Sequence, residues 1–204
     1  MEAEVELRQL AATINVCTDC RLHLSRKLAV PGEGPLNAAV MFIGEGPGFH
    51  ENEQGRPFVG AAGRFLEELL AGIGLTREQV FICNVVKCRP PGNRDPAPDE
   101  IEACSKYLEE QIRLVNPRVI VTLGRFSMAR YFPGARVSAI HGKARQVGGR
   151  TVVAMFHPAA ALHQPSLRPQ VEADFAALGP LIAAARVAEE PAPYSADPTQ
   201  LNLF

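Results

Sequence analysis

The chain has 204 residues, 47% of them hydrophobic and 21% charged, with a formal net charge of −1 at pH 7. This length and hydrophobic fraction predict one globular domain with a sizeable core, and the near-neutral charge excludes binding of nucleic acid or anionic membranes through an overall field. No apolar run is long enough to cross a bilayer, and residues 1–16 do not resemble a signal peptide, so we expect a cytoplasmic protein without membrane contact.

Short apolar runs alternate with amphipathic segments along the chain. Strands are predicted at 40–43, 80–83, 119–123 and 151–156, and helices at 2–16, 59–73, 98–115, 125–132 and 170–187. Continuous apolar runs of this length are typical of strands buried on both faces of a parallel sheet. The alternation predicts an α/β fold with three layers, α/β/α, around a central four-stranded parallel sheet.

Polar residues and glycines recur at the predicted strand ends: Glu45, Asn84, Gly124 and His157. Because parallel strands joined by right-handed crossovers end at one edge of a sheet, where ligands bind, these positions predict a site there. Each residue alone also has a plain structural interpretation. The glycine-rich segment 44–48 can be a tight turn, Asn84 can cap a turn, and His157 can be a hydrogen-bonded structural histidine.

Two of these loops suit recognition of a nucleic-acid base. The amide of Asn84 offers a donor and an acceptor side by side, which can read the edge of a pyrimidine. Phe58, flanked by proline and glycine, can stack on a base or belong to the core. Basic residues on loops near this edge are candidates for phosphate contacts: Arg56, Lys87, Arg89, Arg94, Lys143 and Arg145.

Five cysteines occur in a chain expected in a reducing compartment, where disulfides are rare. Cys17, Cys20, Cys88 and Cys104 are interpreted as four metal ligands, and Cys83 as a buried thiol. Buried free thiols and a redox-active Cys17–Cys20 pair are the alternatives. The number of ligands does not distinguish zinc from an iron–sulfur cluster, since both accept four thiolates.

Taken together, the motifs resemble those of the family 4 uracil-DNA glycosylases, the iron–sulfur branch of that superfamily. The matching segments appear in family order and span residues 5–185. They are 17–22 (CTDCRL), 44–48 (GEGPG), 55–60 (GRPFVG), 84–91 (NVVKCRPP) and 157–159 (HPA).

The resemblance implies a uracil-DNA glycosylase-like fold over residues 1–187 and one structural [4Fe-4S] cluster on Cys17, Cys20, Cys88 and Cys104. It implies a monofunctional hydrolase that flips uracil out of single- or double-stranded DNA, cuts its N-glycosidic bond and leaves an abasic site for base excision repair. The residues implied to bind uracil are Glu45, Gly46, Pro47, Phe58, Asn84 and His157. His157 is implied to stabilise the leaving uracil anion by donating to its O2.

Some positions depart from the pattern of the wider superfamily. Gly46 and Pro47 stand where better-known relatives carry the aspartate that positions water, which leaves Glu45 or Glu51 as candidates for that role. Ala161 stands where a leucine wedge is expected, so Leu162 is the candidate wedge. With Leu162, the implied DNA contacts are Arg56, Lys87, Arg89 and Lys143. No long basic insertion of the kind that traps DNA covalently is present, so turnover is expected.

Residues 188–199 are rich in proline and acid and predict a disordered linker. The final segment, 200–204 (QLNLF), resembles the short motif by which bacterial repair proteins bind the sliding clamp. Leu203 and Phe204 would fill a pocket on the clamp while Gln200 and Leu201 bind beside it, although the segment can also be an unimportant apolar tail. We expect a monomer.

Two other functions remain as alternatives. One is a non-catalytic iron–sulfur or zinc module that binds nucleic acid. The other is a nucleotide-processing α/β enzyme such as a nucleoside hydrolase, which the absence of P-loop and dinucleotide-binding motifs disfavours.

Overall fold

A central sheet is built from β1 (Val40–Gly44), β2 (Phe81–Asn84), β3 (Val119–Leu123), β4 (Ala144–Val147) and β5 (Arg150–Met155). This arrangement is seen in a computed structural model that describes residues 2–187 together with Pro191 and Tyr194. The strand order is β2-β1-β3-β5-β4. The first three pairs of neighbours are parallel, and only β4 runs antiparallel to its neighbour β5.

The prediction of four strands, all parallel, is therefore wrong, because the sheet has a fifth strand, β4, which is antiparallel. β4 is an edge strand with three exposed residues, so it lacks the buried apolar run by which the other strands were found. A two-residue turn, Gly148-Gly149, joins it to β5, and both glycines have positive φ (54° and 76°). Two glycines between two short strands are a recognised hairpin signal, which could have located β4 from the sequence.

Eight α-helices surround the sheet in the part of the chain that the structure describes. They are α1 (Glu2–Val16), α2 (Phe49–Gln54), α3 (Ala61–Gly72), α4 (Pro98–Val115), α5 (Arg125–Ala129), α6 (Val137–Ile140), α7 (Pro158–His163) and α8 (Arg168–Val187). The five predicted helices correspond to α1, α3, α4, α5 and α8. The additional helices have only four to six residues, too few for a helical period to show in the sequence.

Two hydrophobic cores lie on opposite faces of the sheet. Consecutive strand residues point to opposite faces, so Phe42 packs with α3 and α8, where its ring stacks on Phe175 with centroids 6.1 Å apart. Its neighbour Met41 packs in the other core, which holds Ile14 of α1 and Leu108 of α4. The predicted three-layer α/β/α architecture is confirmed.

The carboxyl ends of the parallel strands meet at one edge, as expected. Gly44 pairs with Asn84 at the end of β1 and β2, and Gly124 and His157 follow β3 and β5. Gly124 has φ +92°, and a Cβ there would lie 3.3 Å from the Cβ of His157. Glycine at this position lets the two strand exits approach each other.

Tyr194 lies against the body of the protein although it falls within the predicted linker. Its hydroxyl accepts a hydrogen bond from Arg130 (3.2 Å), and the guanidinium of Arg150 lies 5.2 Å from the centre of its ring. The ring packs at the border of the core formed by α1 and α4. Apart from Pro191 and Tyr194, the predicted linker at 188–199 and the segment 200–204 lie outside the described residues.

Within residues 2–187, no helix is long and apolar enough to cross a membrane.

Candidate active site

A cavity of about 530 Å³ opens at the edge where the parallel strands end. All six residues predicted to bind uracil line it: Glu45, Gly46, Pro47, Phe58, Asn84 and His157. The remaining walls come from the start of α2 and α3, the loop before α4, and α7. The volume is that of a small-molecule site, and it suits a single nucleotide base with its sugar.

Asn84, the last residue of β2, presents an incompletely bonded amide to this cavity. Its side chain is buried, and its Oδ1 has no hydrogen-bond partner among the described residues. Leaving a buried polar atom unpaired costs about 1–3 kcal/mol, and Asn84 Oδ1 is the one such atom of the described residues that belongs to the lining of this cavity. Gly44 beside it makes room, because a Cβ there would overlap Asn84 Oδ1 and lie 2.7 Å from Cζ of Phe58.

Phe58 has an unusual backbone, with φ +52°. A bulky residue rarely adopts this left-handed conformation, and it persists only where surrounding contacts impose it. Arg77 supplies one such contact by donating to the carbonyl oxygens of Phe58 (2.8 Å) and Pro57. The aromatic ring is buried and nearly parallel to the ring of His157, with centroids 5.4 Å apart.

His157 caps the N-terminus of α7, where its Nδ1 accepts a hydrogen bond from the backbone N–H of Ala159 (3.1 Å). A neutral imidazole that accepts through Nδ1 carries its proton on Nε2. Burial lowers the pKa of His157 to about 4, against a smaller opposing effect of the Glu51 carboxylate. At neutral pH the side chain is therefore an uncharged donor through Nε2–H.

Glu45 follows β1 directly and is half-buried at the cavity wall. Burial raises the pKa of its carboxyl group, the charge of Asp95 raises it further, and Arg125 lowers it. Asp95 and Arg125 form an ion pair. Asp95 also lines the cavity, and it was not predicted from the sequence. It stands in a polar run between Pro91 and Pro96. That composition is typical of an exposed functional loop and could have pointed to it.

Glu51 lines the same cavity, but its carboxylate is engaged by the backbone. It accepts hydrogen bonds from the N–H groups of Gly48 (3.1 Å), Val59 (2.8 Å) and Gly60 (2.9 Å). These bonds tie the start of α2 to the loop that carries Phe58. The geometry therefore favours Glu45 over Glu51 for positioning water, and gives Glu51 a role in holding the loop.

The predicted contact of Lys87 with DNA is wrong. Lys87 is almost completely buried, and its amino group donates to the carbonyl of Asn84 (2.7 Å) and to Gln111 Oε1 (2.6 Å). Its proximity to a strand end suggested a surface loop, but the chain turns inward behind Asn84. Lys87 instead supports the end of β2 at Asn84 from behind.

The other predicted DNA contacts lie at or near the surface. Arg56 forms a two-point ion pair with Glu33 (2.8 and 3.0 Å). Arg89 is half-buried, and Lys143 is exposed on the loop before β4. Leu162 is 42% exposed whereas Ala161 is buried, so of these two candidate wedge positions only Leu162 reaches solvent. Two basic residues considered for phosphate contacts also bond within the protein: Arg94 to Glu100 and Arg145 to the Tyr131 carbonyl.

The four cysteines predicted as metal ligands line one second cavity: Cys17, Cys20, Cys88 and Cys104. Three of their sulfurs accept hydrogen bonds within the protein. Arg26 donates to Cys88 (3.2 Å), and the backbone N–H groups of Lys87 and Asp19 donate to Cys104 (3.3 Å) and Cys17 (3.5 Å). Such bonds stabilise thiolates that hold a metal centre. Cys83 lies apart in the core and is fully buried, as predicted.

Among residues 2–187, no three histidine, cysteine, aspartate or glutamate side chains converge closely enough to hold one metal ion. A single zinc ion draws four sulfurs to about 2.3 Å from one centre, whereas a cluster spreads them around several irons. Burial raises the pKa of the thiols of Cys20 and Cys88, and raises that of Cys104 to about 12.

Comparison with known proteins finds related sequences over most of the chain. The sequence model of the uracil DNA glycosylase superfamily matches residues 31–178. The chain is 45% identical over 184 residues to the type-4 uracil-DNA glycosylase of Archaeoglobus fulgidus, an alignment that covers 86% of this chain and 92% of that protein. It is 47% identical over 183 residues to the type-4 uracil-DNA glycosylase of Sulfurisphaera tokodaii, an alignment that covers 83% of this chain and 81% of that protein. It is 45% identical over 170 residues to that of Thermotoga maritima, which covers 81% of this chain and 88% of that protein.

Proposed function

The chain belongs to the uracil DNA glycosylase superfamily and acts as a uracil-DNA glycosylase in DNA repair, and we propose that the cavity at the strand ends binds the flipped uracil. The observation that carries this assignment is the unpartnered Oδ1 of Asn84 in a buried pocket beside Phe58 and His157. A uracil base supplies the missing partner, because its N3–H donates to the amide oxygen while its O4 accepts from the amide nitrogen. Cytosine presents the opposite pattern and leaves the amide unpaired.

Binding of the base uses the rigid loops around Asn84. Extruding uracil from the helix loses its stacking, and the ring of Phe58 replaces one stacking partner. The strained backbone of Phe58 is fixed before substrate arrives, so little order must be created on binding. Glu45, Gly46 and Pro47 form the wall that follows β1 and place backbone groups close to the base.

Hydrolysis separates uracil N1 from C1′ of the sugar. The bonding electrons leave with the base, and the neutral Nε2–H of His157 donates to O2 of the uracil anion. Glu45 orients a water molecule toward C1′ and takes its proton as the new C1′–O bond forms. A neutral histidine suits this role, since it stabilises negative charge on O2 without transferring a proton to the base.

Cleavage of a labelled uracil-containing oligonucleotide, followed by alkaline strand scission, tests this function. Wild-type protein should convert the substrate to abasic product. His157→Ala should react about a hundredfold more slowly, since losing one such donor costs roughly 3 kcal/mol. A wild-type protein that binds the DNA but leaves no abasic site would instead support a non-catalytic module, and undiminished cleavage by His157→Ala would contradict the assigned role.

We further propose that Cys17, Cys20, Cys88 and Cys104 hold one [4Fe-4S] cluster. The cavity that the four cysteines share and the N–H groups that donate to their sulfurs support this proposal. When bound, the cluster supplies covalent links between α1, the loop after β2, and α4. The residues proposed to carry out the reaction line the cavity at the strand ends and not the cysteine cavity.

Two further partners are proposed. The substrate is DNA that contains uracil, contacted by a monomer in the cytoplasm through Arg56, Arg89, Lys143 and Leu162 at the surface. The bacterial sliding clamp is proposed to bind Gln200, Leu201, Leu203 and Phe204. A pull-down with clamp should retain the full chain and not a variant that ends at Pro198, and equal retention of both would contradict the clamp assignment.

A further inference from the structure

Phe49 is an exposed aromatic residue that directly follows Gly48, which lines the cavity at the strand ends. It is 53% exposed, and it is the only aromatic among the large hydrophobic residues exposed in the described part of the chain. It begins α2 directly after Gly48, a residue of the cavity wall. Covering this ring with a ligand would gain the free energy that burial of an apolar surface provides.

Arg89 and His50 fix the ring of Phe49 at this position. The guanidinium carbon of Arg89 lies 5.3 Å from the centre of the ring, and His50 contacts it edge-on with centroids 5.5 Å apart. Arg89 is itself held by a hydrogen bond from its Nε to Asn93 Oδ1 (2.8 Å). Asn93 and Pro90, which follows Arg89, both line the cavity. The aromatic ring and its cation therefore form one unit at the rim.

A ring and a guanidinium together match the chemistry of a nucleotide. Bases stack on aromatic faces whatever their identity, and arginine adds a cation–π contribution and a charge that attracts phosphate. The chain has a net charge of −1 and no overall positive field to attract DNA, so local contacts of this kind must provide affinity. DNA accounts for both the cation of Arg89 and the exposed ring of Phe49, so we commit to DNA and not to a protein as the partner.

Given the proposed function, on which this inference rests, we propose that Phe49 and Arg89 form a stacking platform for the base next to the flipped uracil. When uracil leaves the stack, its neighbour loses one stacking partner, and Phe49 takes the vacant place. Leu162 on α7 is a second exposed hydrophobic residue next to the cavity, since its neighbour His163 lines it.

Two single-stranded substrates separate this platform from the pocket. In the first, uracil lies between ordinary nucleotides, and in the second it lies between tetrahydrofuran residues that lack a base. Phe49→Ala should lower kcat/KM on the first substrate by about five- to a hundredfold, the worth of one stacked base, chiefly through KM. On the second it should equal wild type. Phe49→Trp should keep wild-type values, and Val5→Ala, another exposed apolar residue, is the matched control.

Fluorescence gives a readout that does not depend on turnover. An oligonucleotide with cleavage-resistant 2′-fluorodeoxyuridine beside 2-aminopurine should remain quenched when wild type binds, and should brighten with Phe49→Ala. Three results would each contradict the proposed platform. They are an equal loss of kcat/KM on both substrates with Phe49→Ala, no loss on either substrate, and quenching that Phe49→Ala leaves unchanged. Failure of wild type to cut either substrate would instead contradict the proposed glycosylase function, so the two outcomes are distinct.

Discussion

The side chain of Asn84 combines burial with an unsatisfied amide oxygen, which a core residue selected for stability would not do. We therefore expect Asn84→Leu, which keeps the shape and removes the amide, to leave the thermal melting temperature unchanged or to raise it. The same substitution should lower kcat/KM on uracil DNA by roughly a hundredfold or more, since two hydrogen bonds to the base are lost. Melting curves and cleavage kinetics measure the two effects.

Gln111 provides the control for Asn84. It is also a buried amide, but its oxygen accepts from Lys87 and its nitrogen donates to the Pro31 carbonyl (2.6 Å). Gln111→Leu should destabilise the protein by about 1–3 kcal/mol because it leaves Lys87 short of a partner. If Asn84→Leu destabilised the protein as much as Gln111→Leu, the amide of Asn84 would contribute to stability and its role in binding the base would be contradicted.

Glu45 acts between two opposite charges, and this predicts opposite shifts in the pH dependence of cleavage. Burial and Asp95 raise the pKa of Glu45, and Arg125 lowers it. As the proposed base, Glu45 would act as a carboxylate, so activity should fall as pH drops through this pKa. Asp95→Asn should move the acid limb of kcat/KM to lower pH, and Arg125→Gln should move it to higher pH. Shifts in the same direction, or none, would exclude Glu45 as the titrating base.

At the scale of elements, the loop that carries Phe58 depends on one carboxylate from α2. Glu51→Gln keeps the size of the side chain but loses the charge that three backbone N–H groups share. We expect a loss of stability of about 1–3 kcal/mol and a larger KM for uracil DNA, because Phe58 is no longer held in its strained conformation. Melting and steady-state kinetics provide the two values.

Glu53→Gln on the same helix is the matched control, since Glu53 pairs with Lys27 near the surface (2.5 Å). Exposed ion pairs contribute little, so this variant should behave as wild type. A Glu51→Gln protein with normal KM and a strongly reduced kcat would instead point to a direct role of Glu51 in the reaction.

The extent to which the sequence predicts these elements depends on burial. Continuous apolar runs located the four parallel strands, and residues at their ends located the cavity, because chain direction alone brings those ends together. β4 was missed because its residues face solvent. Asp95 was missed, and Lys87 misplaced, because both depend on how loops fold between elements, which no local pattern encodes. Phe58 was found through its motif, but its left-handed backbone shows only in the structure.

At the scale of the whole molecule, the cysteine cavity connects to the uracil pocket through Lys87. Its backbone N–H bonds Cys104, its amino group bonds the carbonyl of Asn84, and Cys88 follows it directly. Cys88→Ser should abolish the visible absorbance of the cluster and destabilise the protein by on the order of 4 kcal/mol. It should also weaken uracil binding, because the strand end that carries Asn84 loses its support.

Cys83→Ala tests whether any cysteine substitution has these effects. Cys83 is fully buried on the same strand but lies outside the cysteine cavity, so its replacement should keep the absorbance and the activity. A colourless Cys88→Ser protein with the melting temperature and kcat/KM of wild type would show that the cluster does not brace the pocket.

The contact of Tyr194 with Arg130 and Arg150 shortens the reach of the chain beyond it. Gln200 follows Tyr194 by six residues, a fully extended span of about 20 Å. If the chain were held only at the end of α8, at Val187, the span to Gln200 would be about twice as long. A clamp bound at residues 200–204 would therefore be confined to the neighbourhood of the Arg130–Arg150 face. A shorter tether raises the effective concentration of the enzyme on DNA threaded through the clamp, and it also restricts the orientations in which the enzyme meets that DNA.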